Sequence, residues 1–334
     1  MTVTRLPTRT PGVPLTALLV TGGVSGVLIG CAMAAATSTP GLVEASTAVV
    51  VGLPLARMAI TIAALITLGL ALLPFLSAGS PSGRRFAVLS SAVWASAALT
   101  CLVLEVATVH VGHPIDLALV VGYVGDFRTG TALSLVAGGA VVNLVVAAVG
   151  YRLPGRVPPA VPVIVAALTL LPLPPSGHSF EAPTALLAIG VLCLELHVLA
   201  ATAWTGGLFA VVVLLGKRRD LLADALPRFS SLATVCVFLT AVTGMASAGL
   251  HLVVTPGVTR YEALVTTQYG LVLLCKATCL VAVGLLGAHI RFRLLPAIRE
   301  RHRTALVAWV ALELSVMGLA FGFAAILARS PVLG

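Results

Sequence analysis

Residues 193–213 read "CLELHVLAATAWTGGLFAVVV", an apolar run that nonetheless carries Glu195 and His197. As a helix rising 1.5 Å per residue it reaches about 30 Å, the thickness of a bilayer's hydrocarbon core. The rest of the chain decides whether that reach is used. Of 334 residues, 59% are hydrophobic and 9% charged, and the mean hydropathy is +1.11. A soluble domain carries about 25% charged residues, so water is not the solvent of this chain. Similar runs recur along the whole length, which makes the fold class all-α, a polytopic helical membrane protein. Alternating ten-residue segments of the outer-membrane barrel kind are missing.

Nine spans follow from apolar runs and polar breaks: 15–36, 50–76, 87–109, 130–150, 157–174, 185–214, 230–251, 268–289 and 305–327. The fifth is the weakest. It contains Pro162 and Pro172 and runs into "PLPP", which predicts a kinked, short or re-entrant segment. Basic residues concentrate in cytoplasmic loops, and this tests the count. With the N-terminus inside, 15 of the 20 Lys and Arg fall on one side; the exceptions are Arg57, Arg128, Arg260, Lys276 and Arg329. The C-terminus is then outside. The opening "MTVTRLPTRTPG" before an apolar run also resembles a signal peptide, but the run is longer than a usual signal core, so a retained first span is expected.

The net charge of +9 does not mark a nucleic-acid binder, because the basic residues are scattered over short loops without an aromatic-interleaved patch. All six cysteines fall inside spans, which excludes an extracellular disulfide framework. No Walker loop, dinucleotide fingerprint or zinc-protease motif is present, so neither an ATP-driven pump nor an enzyme is expected.

The histidines are unevenly placed. His110, His113, His178 and His251 lie at the external mouth and His197 near the midplane, leaving His289 and His302 on the cytoplasmic side. Imidazole suits copper, zinc, iron and nickel, while thiolate and thioether select Cu(I). Cys193 and His197 are four apart and share a helix face, with Trp204 seven further on; Glu195 points away. Two ligands for a copper ion are thus on one stripe, and a mouth histidine is available as a third. A second reading stays open, in which His197 bonds a neighbouring carbonyl and the loop histidines are solvated.

Five charged side chains lie within the spans: Arg57, Lys276, Glu105, Glu195 and Glu313. Depth pairs Arg57 with Glu105 near the outer surface and Lys276 with Glu195 or Glu313. Glu313, near the midplane, either draws a cation or bonds between helices. The glycines of "WTGG" suit close helix packing, and Trp204 sits where it closes a route below His197.

The segment "LHVLAATAWTGGL" resembles the His-(x3)-Ala-(x2)-Trp-x-Gly-Gly helix of the bacterial copper resistance D (CopD) family, and the upstream "GHS" resembles its Gly-His. The likeness continues through "RFSSLATVCVFLTAVTGMASAGL", "YGLVLLCKATCLVAVGLLGAHIRFRLLP" and a last span with Glu313. It divides the chain into an N-terminal transmembrane region of about five helices, 1–175, and a CopD-like four-helix region, 176–334. The resemblance implies a copper-handling protein of the bacterial plasma membrane, with His178 and His197 the copper-associated histidines. His289 stands where the family often has Asn. The expected function is a copper permease or copper-transfer protein that takes the copper ion from external histidines to His197 and inward. The lipid bilayer and an external copper-binding protein are the expected partners. Two alternatives are a haem b electron-transfer protein, which needs two facing histidines at one depth, and a non-transporting copper chaperone for oxidase assembly.

Overall fold

A computed structural model describes residues 15–36, 47–77, 83–172, 184–254, 260–294 and 306–327. Their helices are α1 (Leu15–Ala36), α2 (Thr47–Leu76), α3 (Arg84–Val109), α4 (Leu117–Asp126), α5 (Arg128–Arg152), α6 (Ala160–Leu170), α7 (Thr184–Leu215), α8 (Arg219–Val254), α9 (Arg260–Thr266), α10 (Gln268–His289) and α11 (Leu306–Leu327); a π-helical turn, Ile290–Leu294, extends α10. No strand occurs among the described residues. Among the described residues, eight helices are long and apolar enough to cross a membrane. The fifth expected span is instead the 11-residue α6, about 16 Å long and so half a crossing. Its prolines and the "PLPP" that follows explain the shortness.

Small residues set which helices touch, because lipid tails leave packing and not hydrophobicity to hold spans together. Gly22, Gly26 and Gly30 of α1 lie in turn against Ser315, Leu319 and Ile326 of α11. Both series ascend, so the first and last helices run parallel. Eight strictly alternating crossings would make them antiparallel; parallel ends require an odd number. The missing crossing falls at α6. Val157 packs near Gly150, and Asn143 donates to Thr169 Oγ1 at 2.9 Å, so α6 climbs back along α5 from its Arg152 end to mid-depth.

The centre of the bundle is α2 against α7. Gly69 and Gly206 meet there, and a Cβ on either would overlap the partner's backbone. Gly207, one residue on, faces the Phe229 ring of α8. The packing role expected for "WTGG" is present, with one glycine for each neighbour. Arg57 of α2 pairs with Glu105 of α3, both largely buried, as their depths led us to expect. Cys193, Cys236, Cys275 and Cys279 are free thiols in helices.

Candidate intramembrane cation site

His197 lies 13 residues into α7, about 20 Å from its start, where α8 and α10 approach it. Its Nδ1 is 2.9 Å from the Thr240 carbonyl oxygen and 3.4 Å from Thr243 Oγ1. A carbonyl accepts only, so Nδ1 carries the proton and donates, leaving the lone pair on Nε2. That lone pair faces Lys276 Nζ of α10 at 3.5 Å. The ring fits because residue 244 has no side chain: a Cβ there would lie 3.0 Å from Cε1 and 3.2 Å from Nδ1.

The α8 face that receives the ring is a polar stripe. Cys236, Thr240, Thr243 and Ser247 follow at spacings of four, three and four, which keeps them on one side of a helix. The Thr240 and Ser247 hydroxyls are buried with no hydrogen-bond partner among the described residues. Cys236, one turn inward of Thr240, is also buried. None of these four was singled out as functional from the sequence; the signal available was "TAVTGMAS", residues 240–247, small and hydroxylated where neighbouring spans are aliphatic.

The expected carboxylate partners of Lys276 are elsewhere. Glu195 stands two residues from His197, about 200° round α7, and so faces away from the site. Glu313, only 3% exposed, has Oε1 3.6 Å from the place a Cβ on Gly287 would take. Gly287 is 11 residues, about 16 Å, further along α10 than Lys276. Glu313 therefore sits toward the basic-loop end and not at the midplane, and among the described residues neither acid forms an ion pair with Lys276. The polar neighbour of Lys276 is the imidazole.

Other candidates separate. Cys193, one turn before His197, is a half-buried free thiol. Trp204 is buried two turns inward of His197, in a core with Ala200, Leu208, Leu314 and Met317. His110 has Nδ1 3.3 Å from the Val106 carbonyl at the end of α3, and His113 is exposed in the following turn. His251 belongs to α8, its side chain outside the description, and His178 lies outside the described residues. His289 stacks on Trp309 of α11 at 4.2 Å. Among the described residues no three His, Cys, Asp or Glu side chains come together as a metal site.

The fold and site define a class: a multi-pass helical membrane protein whose ionisable centre, an imidazole against an ammonium, is held between packed spans. Comparison with protein families narrows it. "Copper resistance protein D-like, N-terminal domain" matches residues 46–186 and "Copper resistance protein D" matches 223–327, so the chain belongs to the copper resistance protein D family. Thr240, Thr243, Lys276 and Glu313 lie within the second match, and His197 lies between the two. No curated protein and no solved structure matches the chain.

Proposed function

We propose that this copper resistance membrane protein moves copper from outside toward the cytoplasm across the bacterial plasma membrane, with His197 as the ligand at mid-depth. The supporting observation is the orientation of that ring: a backbone carbonyl holds Nδ1, and the Nε2 lone pair is turned onto a cation. A site that holds an ammonium against a lone pair suits a monovalent copper ion as well, because the exchange replaces one positive charge by another in a low-dielectric interior. Lys276 swings aside as copper takes Nε2 and returns as copper leaves. His178, His110, His113 and His251 gather the ion at the mouth, delivered by an external copper-binding protein, and Cys193 assists as a soft ligand. Below His197, Cys236 offers a thiol one turn inward, Trp204 narrows the path, and Glu313 attracts the departing cation. Residues 176–334 carry this machinery, and 1–175 form the accompanying transmembrane region. No catalytic step is involved.

The test is Cu(I) uptake into proteoliposomes together with Cu(I) binding measured against a chelator. Wild type is expected to bind and transport, and His197→Ala to lose both while staying inserted. Binding without uptake would replace the permease by a chaperone; full uptake by His197→Ala would remove His197 from the route.

A further inference from the structure

Four helix ends on the basic-loop side of the bundle enclose a cavity of about 370 Å³, walled by the last turns of α2 and α5 and the first turns of α3 and α6. It lies apart from the His197 site. Its polar groups are arranged for a ligand. Ser77 and Ser91 line it, are fully buried, and have hydroxyls without a hydrogen-bond partner among the described residues. Buried hydroxyls in that state are costly unless something fills the space between them. Arg84 also lines the cavity, and no described carboxylate is within ion-pair distance of it. Arg84 opens α3, and the Gly83 before it has no side chain with which to cap the first-turn N–H groups.

The three stretches that line the cavity carry one sign of charge, and the Asp224 carboxylate of neighbouring α8 is engaged by Arg228. Arg85 is braced by Tyr151, whose hydroxyl lies 3.2 Å from its Nε, and Arg152 and Arg156 flank the turn that Gly155 makes at φ +87°. Residues 67–77, 83–91 and 143–162 contain no Asp or Glu. Loop arginines alone are explained by topology. Buried hydroxyls without partners beneath one of them are not. At the floor, Asn143 spends its amide hydrogens on Gly139 O and Thr169 Oγ1, leaving its carbonyl oxygen to accept.

We propose that this cavity binds a phosphate group carrying a small hydroxylated substituent. The phosphate takes Arg84, the N-terminal end of α3 and Ser77, and the substituent's hydroxyls take Ser91 and Asn143. A guanidinium with no competing acid in the lining selects the anion, and the absence of carboxylates from that lining disfavours a zwitterionic choline head. Two sources present this chemistry: the headgroup of phosphatidylglycerol, reached from the inner leaflet, and a soluble sugar phosphate, reached from the cytoplasm.

The full chain in nanodiscs separates them. Binding and thermal stabilisation are measured in phosphatidylglycerol against phosphatidylcholine discs, and in phosphatidylcholine discs with added glucose 6-phosphate against sulfate. Stabilisation by phosphatidylglycerol alone assigns the lipid, and stabilisation by glucose 6-phosphate the soluble ester. Either should weaken about tenfold in Arg84→Gln, which removes a charge-assisted contact. Ser91→Ala, a one-oxygen deletion that serves if Arg84→Gln fails to fold, should weaken it about threefold. Arg128→Gln, at the opposite end of α5, should change nothing. The proposal is overturned if neither probe exceeds its control, or if the foldable variants bind as wild type does.

Discussion

A single lone pair carries most of what is distinctive here. His197 is oriented by two groups on different helices, the Thr240 carbonyl on one nitrogen and the Lys276 ammonium on the other. Removing either orienting group should leave the imidazole present but change what it does. On the proposed route copper displaces the Lys276 ammonium, so Lys276→Met should raise Cu(I) affinity at His197 about tenfold or more while transport slows, since release loses its returning competitor. Lys276→Arg should not tighten binding. Chelator competition on the purified variants reads both, and equal affinity for wild type and Lys276→Met would separate Lys276 from the site even if His197→Ala had abolished binding. Gly244→Ala places a methyl 3.0 Å from the ring and must shift it by a few tenths of an ångström relative to the Thr240 carbonyl. It should weaken copper binding in the same assay without removing a ligand; wild-type affinity would show that the ring's tether is dispensable.

Between helices, the decisive contacts are glycines and one ion pair. Gly206 lets α7 meet α2 at Gly69 backbone to backbone, so Gly206→Val should force the spans apart and lower the unfolding temperature more than Gly207→Ala, which meets only the edge of a Phe229 ring at 3.1 Å. Thermal unfolding in detergent orders the two, and the reverse order would place the α2–α7 contact wrongly. Arg57→Ala strands Glu105 between α2 and α3 and should cost about 3–5 kcal/mol, with Arg57→Ala/Glu105→Ala recovering part of it. Reversible unfolding of the single and double variants measures that recovery; additive losses would mean no coupling. This pair was legible in the sequence because two opposite charges near the same end of adjacent spans have few other partners.

At the scale of the molecule, parallel packing of α1 on α11 makes the crossing count odd and puts the start of α1 and the end of α11 on opposite faces. Cysteine-accessibility labelling at positions 5, 112 and 217 and at the C-terminus should report 5 and 217 on the cytoplasmic face and the other two outside. N- and C-termini on the same face would overturn both the α6 half-crossing and the α1–α11 contact. The same packing joins the two family-matched regions, since a helix that precedes the N-terminal match lies along a helix of the C-terminal one.

Sequence alone determined the class and eight of the nine expected spans, because hydrocarbon thickness sets span length and that length is counted along the chain. It also marked His197, Lys276 and Glu313 as ionisable residues costly to keep in lipid, and left ligand and helix-to-helix bond open as their roles. Tertiary structure decided their partners. The spans are apolar on nearly every side, so hydrophobicity does not say which face of a helix meets which neighbour. That choice was left to glycine notches and hydroxyl stripes, which turned Lys276 onto an imidazole instead of Glu195 and held Glu313 about 16 Å away along α10. The cavity beneath Arg84 was invisible for the same reason: it is assembled from four helix ends, and no single stretch of sequence contains more than a wall of it.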